Sequence, residues 1–191
     1  MVSYASRPAH DLLRDEAARF HQVPASLVVV THECARCGSG AHGRPVLLAT
    51  AALRRPAYVS VARAGDLSIV AVTDAGPVGI DVEVEGAAGF TGFADVALHV
   101  DEDGADAVDP TRVWVRKEAL LKAYGLGLSV DPSQVRIDDD GLAAWDSPHP
   151  RPAAVWLRDL AVPGHVAAVA VLPAAGLDVA RLAVAMAPVV D

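Results

Sequence analysis

Residues 78–84 read Val-Gly-Ile-Asp-Val-Glu-Val, and this stretch carries a strong strand signal. Its β-branched residues favour a strand, and the side chains of a strand alternate between two faces. We therefore predict a strand over Val78–Val84 with Ile80 and Val82 toward the core. Asp81 and Glu83 then share the opposite face, where two carboxylates repel each other unless a cation or a proton intervenes. A solvent-facing strand with ordinary charges is the plain alternative.

A second stretch, residues 114–125, reads Trp-Val-Arg-Lys-Glu-Ala-Leu-Leu-Lys-Ala-Tyr-Gly and predicts a helix from its apolar spacing. Asp109 is a suitable N-cap, and Gly125 can adopt the left-handed conformation that ends a helix. Glu118 and Lys122 lie one turn apart on one flank of this helix. Taken alone, they would be an intrahelical ion pair worth about 0.2–0.5 kcal/mol.

The remaining elements follow from hydrophobic periodicity and turn residues. We predict a first helix over residues 10–21, and an acidic, glycine-containing connection over 86–110 with a short helix near 93–100. Further strands are predicted at 27–31, 57–61, 68–73, 135–137, 153–157 and 165–172. This order gives an α+β fold, with residues 1–85 and 86–191 as the two subdomains of one compact unit.

Composition excludes several classes of protein. A chain of 191 residues with 52% hydrophobic content fits one core, and its net charge of −8 disfavours nucleic-acid binding. No apolar run reaches the roughly 18–20 residues that a membrane helix needs. The first twenty residues carry charges where a signal peptide is apolar. We therefore expect a cytoplasmic protein that binds neither nucleic acid nor membrane.

The two stretches together resemble the paired signature of 4′-phosphopantetheinyl transferases. Gly-Ile-Asp-Val-Glu at 79–83 is followed about 30 residues later by Trp-x-x-Lys-Glu-Ala-x-x-Lys-Ala-x-Gly-x-Gly at 114–127. The resemblance is closest to the surfactin-synthetase-activating (Sfp-like) type and runs in register from about residue 10 to residue 127. Gly43-Arg44-Pro45 resembles the Gly-Lys-Pro turn of that family, and residues 60–65 lie where it has Asn-x-Ser-His-Ser-Gly.

This resemblance implies a pseudo-twofold fold of two similar α/β subdomains, with coenzyme A in the cleft between them. It implies a holo-[acyl-carrier-protein] synthase, which moves 4′-phosphopantetheine from coenzyme A to a serine of an apo acyl or peptidyl carrier protein and releases adenosine 3′,5′-bisphosphate. Whether the carriers serve fatty acid or secondary metabolite biosynthesis stays open. We expect a monomer, because the two halves of one chain already build the cleft.

The family's catalytic residues carry over to matching positions of this sequence. The resemblance implies that Asp81 and Glu118 bind Mg²⁺, with Glu83 as a third or water-mediated ligand. Lys122 would then reach the pyrophosphate of coenzyme A. A base must accept the proton of the carrier serine, and Glu118 is the first choice, directly or through a metal-bound water, with Glu83 as the second.

The nucleotide side of the site departs from the family pattern in one place. Ala62-Arg63 stands where the family has Ser-His, so Arg63 either binds the 3′-phosphate or is an exposed turn residue. The residues expected to contact coenzyme A are Arg14, His42, Gly43, Arg44, Pro45, Ser60, Arg63 and Lys122. For the carrier, we expect an apolar docking patch near residues 90–98, with Arg112 or Arg116 as local cations.

The only two cysteines lie in the string His32-x-Cys34-x-x-Cys37-x4-His42, which raises the question of zinc. These ligands are crowded into one short loop, and no second pair follows at finger-like distance, so a turn that only needs small residues explains the string better. Two other classes stay open. One is a coenzyme A-binding relative without transferase activity, which the Ala62-Arg63 departure supports, and the other is a zinc-binding interaction module.

Overall fold

The computed structural model describes residues 1–34, 36–50, 52–53, 55–102, 109–139, 141–178, 180 and 182–188. The helices are α1 (Ala9–His21), α2 (Phe93–Ala97) and α3 (Pro110–Tyr124). The strands are β1 (Val2–Ala5), β2 (Val30–Glu33), β3 (Arg44–Leu47), β4 (Tyr58–Ala64), β5 (Leu67–Thr73), β6 (Val78–Val84), β7 (Val135–Asp138), β8 (Gly141–Trp145), β9 (Trp156–Val162), β10 (His165–Val171) and β11 (Met186–Pro188). Within these ranges, no helix has both the length and the apolar character needed to cross a bilayer.

Two sheets lie face to face between two helices, which confirms the α+β class. The first sheet has the order β11-β1-β5-β4, and the second has the order β6-β10-β9. Between them lies an apolar core that includes Ile69, Ile80 and Val169. Helix α1 covers the outer face of the first sheet, and α3 covers that of the second. Two short hairpins, β2–β3 and β7–β8, complete the strands.

The predicted strand at residues 78–84 and the predicted helix at residues 114–125 both form. β6 spans Val78–Val84, and Ile80 and Val82 are buried between the sheets. α3 begins after Asp109, whose carboxylate accepts a hydrogen bond from the Thr111 amide at 2.9 Å, and it ends at Gly125 in the left-handed conformation. Both stretches carry strong local signals, which explains the agreement.

Several predicted boundaries were wrong. The strand expected at 27–31 is a 3-10 turn at Ala25–Leu27 followed by β2, and the strand expected at 153–157 begins only at Trp156. Residues 62–64, which fall between the predicted strands at 57–61 and 68–73, belong to β4, and Arg44 and Pro45 belong to β3 rather than to a turn. Part of the acidic connection predicted over 86–110, residues 103–108, lies outside the described residues.

Two strands cross the predicted division of the chain at residue 85. β6 precedes this division but pairs with β10 in the second sheet. β11 follows the division but pairs with β1 in the first sheet. Residues 1–85 therefore contribute one strand to the second sheet, and residues 86–191 contribute one strand to the first. A division into two subdomains at residue 85 stays a prediction.

Candidate active site

The site is built where α3 lies directly on β6 at Gly79. A Cβ atom at Gly79 would be 2.0 Å from the carbonyl oxygen of Ala119 and 2.3 Å from the amide nitrogen of Ala123. No other residue permits so close an approach of strand and helix. Because strand side chains alternate, Asp81 and Glu83 share the face of Gly79 and are turned toward α3.

Lys122 of α3 reaches across to β6. Its Nζ donates a hydrogen bond to Asp81 Oδ1 at 2.6 Å and another to the Ile80 carbonyl at 3.3 Å. Asp81 is only 5% exposed and Glu118 only 7%. A lysine and two carboxylates are thus held at a place where water is largely excluded.

Asp81, Glu83 and Glu118 form one electrostatic unit, called here the carboxylate cluster. Burial raises the pKa of Asp81, and Lys122 opposes this shift. Burial is also the main cause that raises the pKa of Glu118, where Lys122 again opposes and the charges of Asp81 and Glu83 add to the rise. The pKa of Glu83 is raised by burial and then by Asp81. One ammonium therefore faces three carboxylates that repel each other.

Two oxygens of the carboxylate cluster have no partner within the described part of the chain. Asp81 Oδ2 and Glu118 Oε1 are both buried and accept no hydrogen bond there. An ionised oxygen in this position is costly unless it is paired, and Mg²⁺ prefers such hard carboxylate ligands. The donor set fits a divalent cation.

The three carboxylates do not all converge on one point. Among the described residues, only Cys34, Cys37 and His42 have three candidate ligand atoms within 4.8 Å of one another. Direct binding of one ion by the whole carboxylate cluster would therefore need a side-chain rotation.

A cleft of about 540 Å³ lies beside the carboxylate cluster, between the β2–β3 hairpin, β4 and the C-terminal end of α3. Its volume is within the range of roughly 300–1,000 Å³ typical of small-molecule sites. Lys122 lines the cleft and also binds Asp81, so it connects the two. The predicted coenzyme A residues in its wall are Gly43, Arg44, Pro45, Ser60 and Lys122.

Arg44 is an oriented cation in the wall of this cleft. Its Nε and Nη2 donate to Glu33 Oε2 at 3.1 and 2.6 Å, and its Nη1 lies 3.4 Å from the position of a Cβ atom at Gly125. The guanidinium thus spans from the hairpin to the end of α3. Because the Arg44–Glu33 pair is exposed, it adds little to stability, and its main effect is to orient the charge.

Ser60 connects the first sheet to β6. Its Oγ accepts a hydrogen bond from the Ile80 amide at 3.1 Å, next to Asp81. This bond fixes the position of β6 relative to β4. The Ser60 side chain therefore has a structural role whether or not it also contacts a ligand.

Three predicted coenzyme A residues are not in the wall of the cleft. Arg14 pairs with Asp11 on α1, and His42 lies 3.4 Å from Cys37. Arg63 is exposed near the end of β4. Sequence reasoning missed other wall residues, among them Glu33, Tyr58, Gly127 and Ser129. The only available signal for Glu33 was its pairing with Arg44, which requires knowledge of the hairpin register.

Residues 77–168 match the family model described as the 4′-phosphopantetheinyl transferase superfamily. The matched segment starts just before β6 and ends within β10, so it contains the whole carboxylate cluster and Lys122. It supports a transferase, with phosphopantetheine transfer as the general chemistry and coenzyme A as the substrate that members of this superfamily use. A search of curated proteins gave no match.

Proposed function

We propose that this protein transfers the 4′-phosphopantetheine group of coenzyme A to a serine hydroxyl of an apo acyl or peptidyl carrier protein, as Sfp-like transferases do. The holo carrier and adenosine 3′,5′-bisphosphate would be the products. The observation that carries the proposal is the buried carboxylate cluster, which shares Lys122 with a cleft large enough for a nucleotide. The superfamily match over the same residues supports it.

The unpartnered oxygens of Asp81 and Glu118 are the proposed Mg²⁺ ligands, with Glu83 as a third or water-mediated one. Bound there, Mg²⁺ would offset negative charge on the phosphoryl oxygens of coenzyme A. Lys122 is placed to bind the same pyrophosphate from the cleft side as a compact point charge. Arg44 would bind nucleotide phosphate from the β2–β3 hairpin.

The reaction forms one bond and breaks one. The carrier serine oxygen attacks the phosphorus that bears the pantetheine arm, and the bond from that phosphorus to the bridging pyrophosphate oxygen breaks. The serine proton passes to a carboxylate. Glu118 and Glu83 are the candidates for this role, because both carboxylates belong to the same electrostatic cluster as Asp81. Glu118 is the first choice because it lies beside both Asp81 and Lys122.

We also propose that the two halves are related by a pseudo-twofold axis. Each half packs one long helix on the outer face of one sheet, α1 on the first and α3 on the second. The cleft then lies between two similar units, as the resemblance implies.

The carrier is proposed to dock on the surface around α2. Phe90 is 52% exposed, and Val96 and Val100 of the same segment are also exposed. The proposal is supported by the contact of Phe93 with Trp114, which lies on α3 one turn before Glu118. The cations expected to assist docking, Arg112 and Arg116, both pair with Asp159.

A mass assay tests the transfer directly. Protein, coenzyme A, Mg²⁺ and an apo carrier are mixed, and the carrier is weighed for the phosphopantetheine increment. Asp81→Asn and Glu118→Gln should slow the transfer about a hundredfold or more, since each removes one charge that the transition state uses. Glu85→Gln is the matched control, because Glu85 is an exposed acid just after β6 and outside the carboxylate cluster.

The outcomes separate the proposal from its rivals. Equal loss in Glu85→Gln and Glu118→Gln would show that the carboxylate cluster has no special role. Binding of coenzyme A with no increment on any of several carriers would favour a relative without transferase activity. Binding of zinc without binding of coenzyme A would favour an interaction module.

A further inference from the structure

The loop between β2 and β3 is closed by a glycine that nothing else can replace. Gly43 has φ +108°, and a Cβ atom there would be 2.3 Å from the Glu33 carbonyl oxygen and 2.7 Å from Cys34 Cα. The Glu33–Arg44 register pair and ion pair lie just outside this closure. The two ends of the loop, Cys34 and His42, are therefore held side by side.

Within the loop, a backbone hydrogen bond connects Gly38 to Cys34. The Gly38 amide donates to the Cys34 carbonyl at 2.8 Å, and Gly38 takes a left-handed conformation with φ +69°. The backbone amides of Cys37 and Arg36 point at the Cys34 sulfur. These contacts hold the sulfur in place at the start of the loop.

The side chains of this loop converge as metal ligands do. The ligand atoms of Cys34, Cys37 and His42 all lie within 4.8 Å of one another, and Cys37 Sγ is 3.4 Å from His42 Nε2. A tetrahedral zinc ion with Zn–S near 2.3 Å and Zn–N near 2.1 Å places sulfur and nitrogen about 3.6 Å apart. The separation in the loop matches that edge without rearrangement.

We propose that Cys34, Cys37 and His42 bind one zinc ion. Two thiolates and an imidazole are ligands that suit zinc, and a water molecule would fill the fourth position. His32, which the sequence places in the same string, lies outside the group. The loop would then be a metal site and not only a turn that needs small residues. This inference does not depend on transferase activity.

Zinc binding would also fix part of the wall of the cleft. Gly43 and Arg44 follow His42 directly, and both line the cleft. A zinc ion that ties His42 to the two cysteines would fix the start of β3 and hence the direction of the Arg44 guanidinium. Zinc binding would displace the thiol protons, so the site should weaken as the pH falls.

Metal binding can be measured on the full chain. The protein is reduced, stripped with a chelator, and titrated with Zn²⁺ against a chromophoric chelator; a parallel sample receives Co²⁺. We expect one zinc per chain, together with a thiolate-to-cobalt charge-transfer band. Cys37→Ser and His42→Ala should each weaken zinc binding about a hundredfold or more, since even loss of a supporting group costs about 10–100-fold. His32→Ala is the matched control and should bind like the wild type.

Hydrogen exchange gives a second readout. Zinc should slow exchange of the loop amides between residues 36 and 43 in the wild type, and should not do so in His42→Ala. The proposal is overturned if stripped protein takes up no stoichiometric zinc, or if His32→Ala and His42→Ala lose zinc equally. It is also overturned if the wild type keeps a Cys34–Cys37 disulfide under mild reduction and gives no cobalt charge-transfer band. The wild-type cobalt spectrum decides the matter even if a variant fails to fold.

Discussion

The contact of α3 with β6 at Gly79 can be tested with a single methyl group. Gly79→Ala adds a Cβ atom that would lie 2.0 Å from the Ala119 carbonyl oxygen and 2.3 Å from the Ala123 amide. Both atoms belong to the helix backbone, so no side chain can rotate out of the way. The helix must move away from the strand.

The size of the effect follows from these distances. To bring the new methyl group to 3.0 Å from the carbonyl, α3 must retreat by about 1 Å. Overpacking of this kind costs about 1–3 kcal/mol, and contact with rigid backbone points to the upper end. For a chain of this length, each kcal/mol lowers Tm by about 2–4 °C, so we expect a drop of about 6–12 °C. The same shift would stretch the contact from Lys122 Nζ to Asp81 Oδ1 from 2.6 Å to about 3.6 Å, which is too long for a hydrogen bond.

Thermal unfolding and the carrier mass assay measure the two effects separately. Gly40→Ala is the matched control, because a Cβ atom at Gly40 would have its nearest neighbour at 3.7 Å, the His32 carbonyl oxygen. Gly79→Ala should also lose transfer activity at temperatures where it is fully folded, because Asp81 and Lys122 separate. If Gly79→Ala melts within about 2 °C of Gly40→Ala, α3 does not rest on β6 as described, and the explanation of the site fails.

Two further predictions concern charge and docking. Because burial raises the pKa values of Asp81 and Glu118, the folded protein without divalent ions holds more protons than the unfolded chain between the ordinary pKa values of 3.8 and 4.5 and the raised ones. The free energy of unfolding, measured by urea titration in the presence of a chelator, should therefore fall as the pH rises through this window. Glu118→Gln should make that fall smaller. If the variant shows the same pH dependence as the wild type, Glu118 is not a group with a raised pKa. Phe90→Asp should raise the KM for the carrier about tenfold with kcat and Tm unchanged, since Phe90 is exposed, whereas Phe93 is buried and unsuited to the test. A normal KM would remove the α2 surface as the docking site.

The sequence predicted the elements whose signals are local. β6 has a β-branched run with no competing helical pattern, and α3 has a cap at each end, Asp109 and Gly125. These two elements carry Asp81, Glu83, Glu118 and Lys122, so the sequence alone predicts the residues at the centre of the candidate site. Their mutual position is not predicted, because it depends on how closely the helix approaches Gly79.

The elements that escaped prediction are stabilised by distant partners. β1 is four residues long, and it is a strand because β5 and β11 pair with its two edges. β8 reads Gly-Leu-Ala-Ala-Trp, which favours a strand weakly, and it forms by pairing with β7. Arg63 was expected either to bind the 3′-phosphate or to be an exposed turn residue; it is exposed, but β4 continues through it in place of a turn, and its contact with the nucleotide stays a prediction. Local sequence does not contain such long-range information.

The carboxylate cluster is a feature that the fold alone would not favour. Buried charges are destabilising unless they are paired, and apolar side chains of similar size at the contact of α3 with β6 would be at least as stable. Lys122 compensates only one of the three negative charges. Burial raises the pKa values of Asp81, Glu83 and Glu118, and repulsion from neighbouring carboxylates adds to the rise for Glu83 and Glu118. A divalent cation at the two unpartnered oxygens would neutralise the two uncompensated charges. It would also lower the pKa values of the three carboxylates and so favour their ionised form. It would also free Lys122 to turn from Asp81 toward a phosphate in the cleft that it already lines.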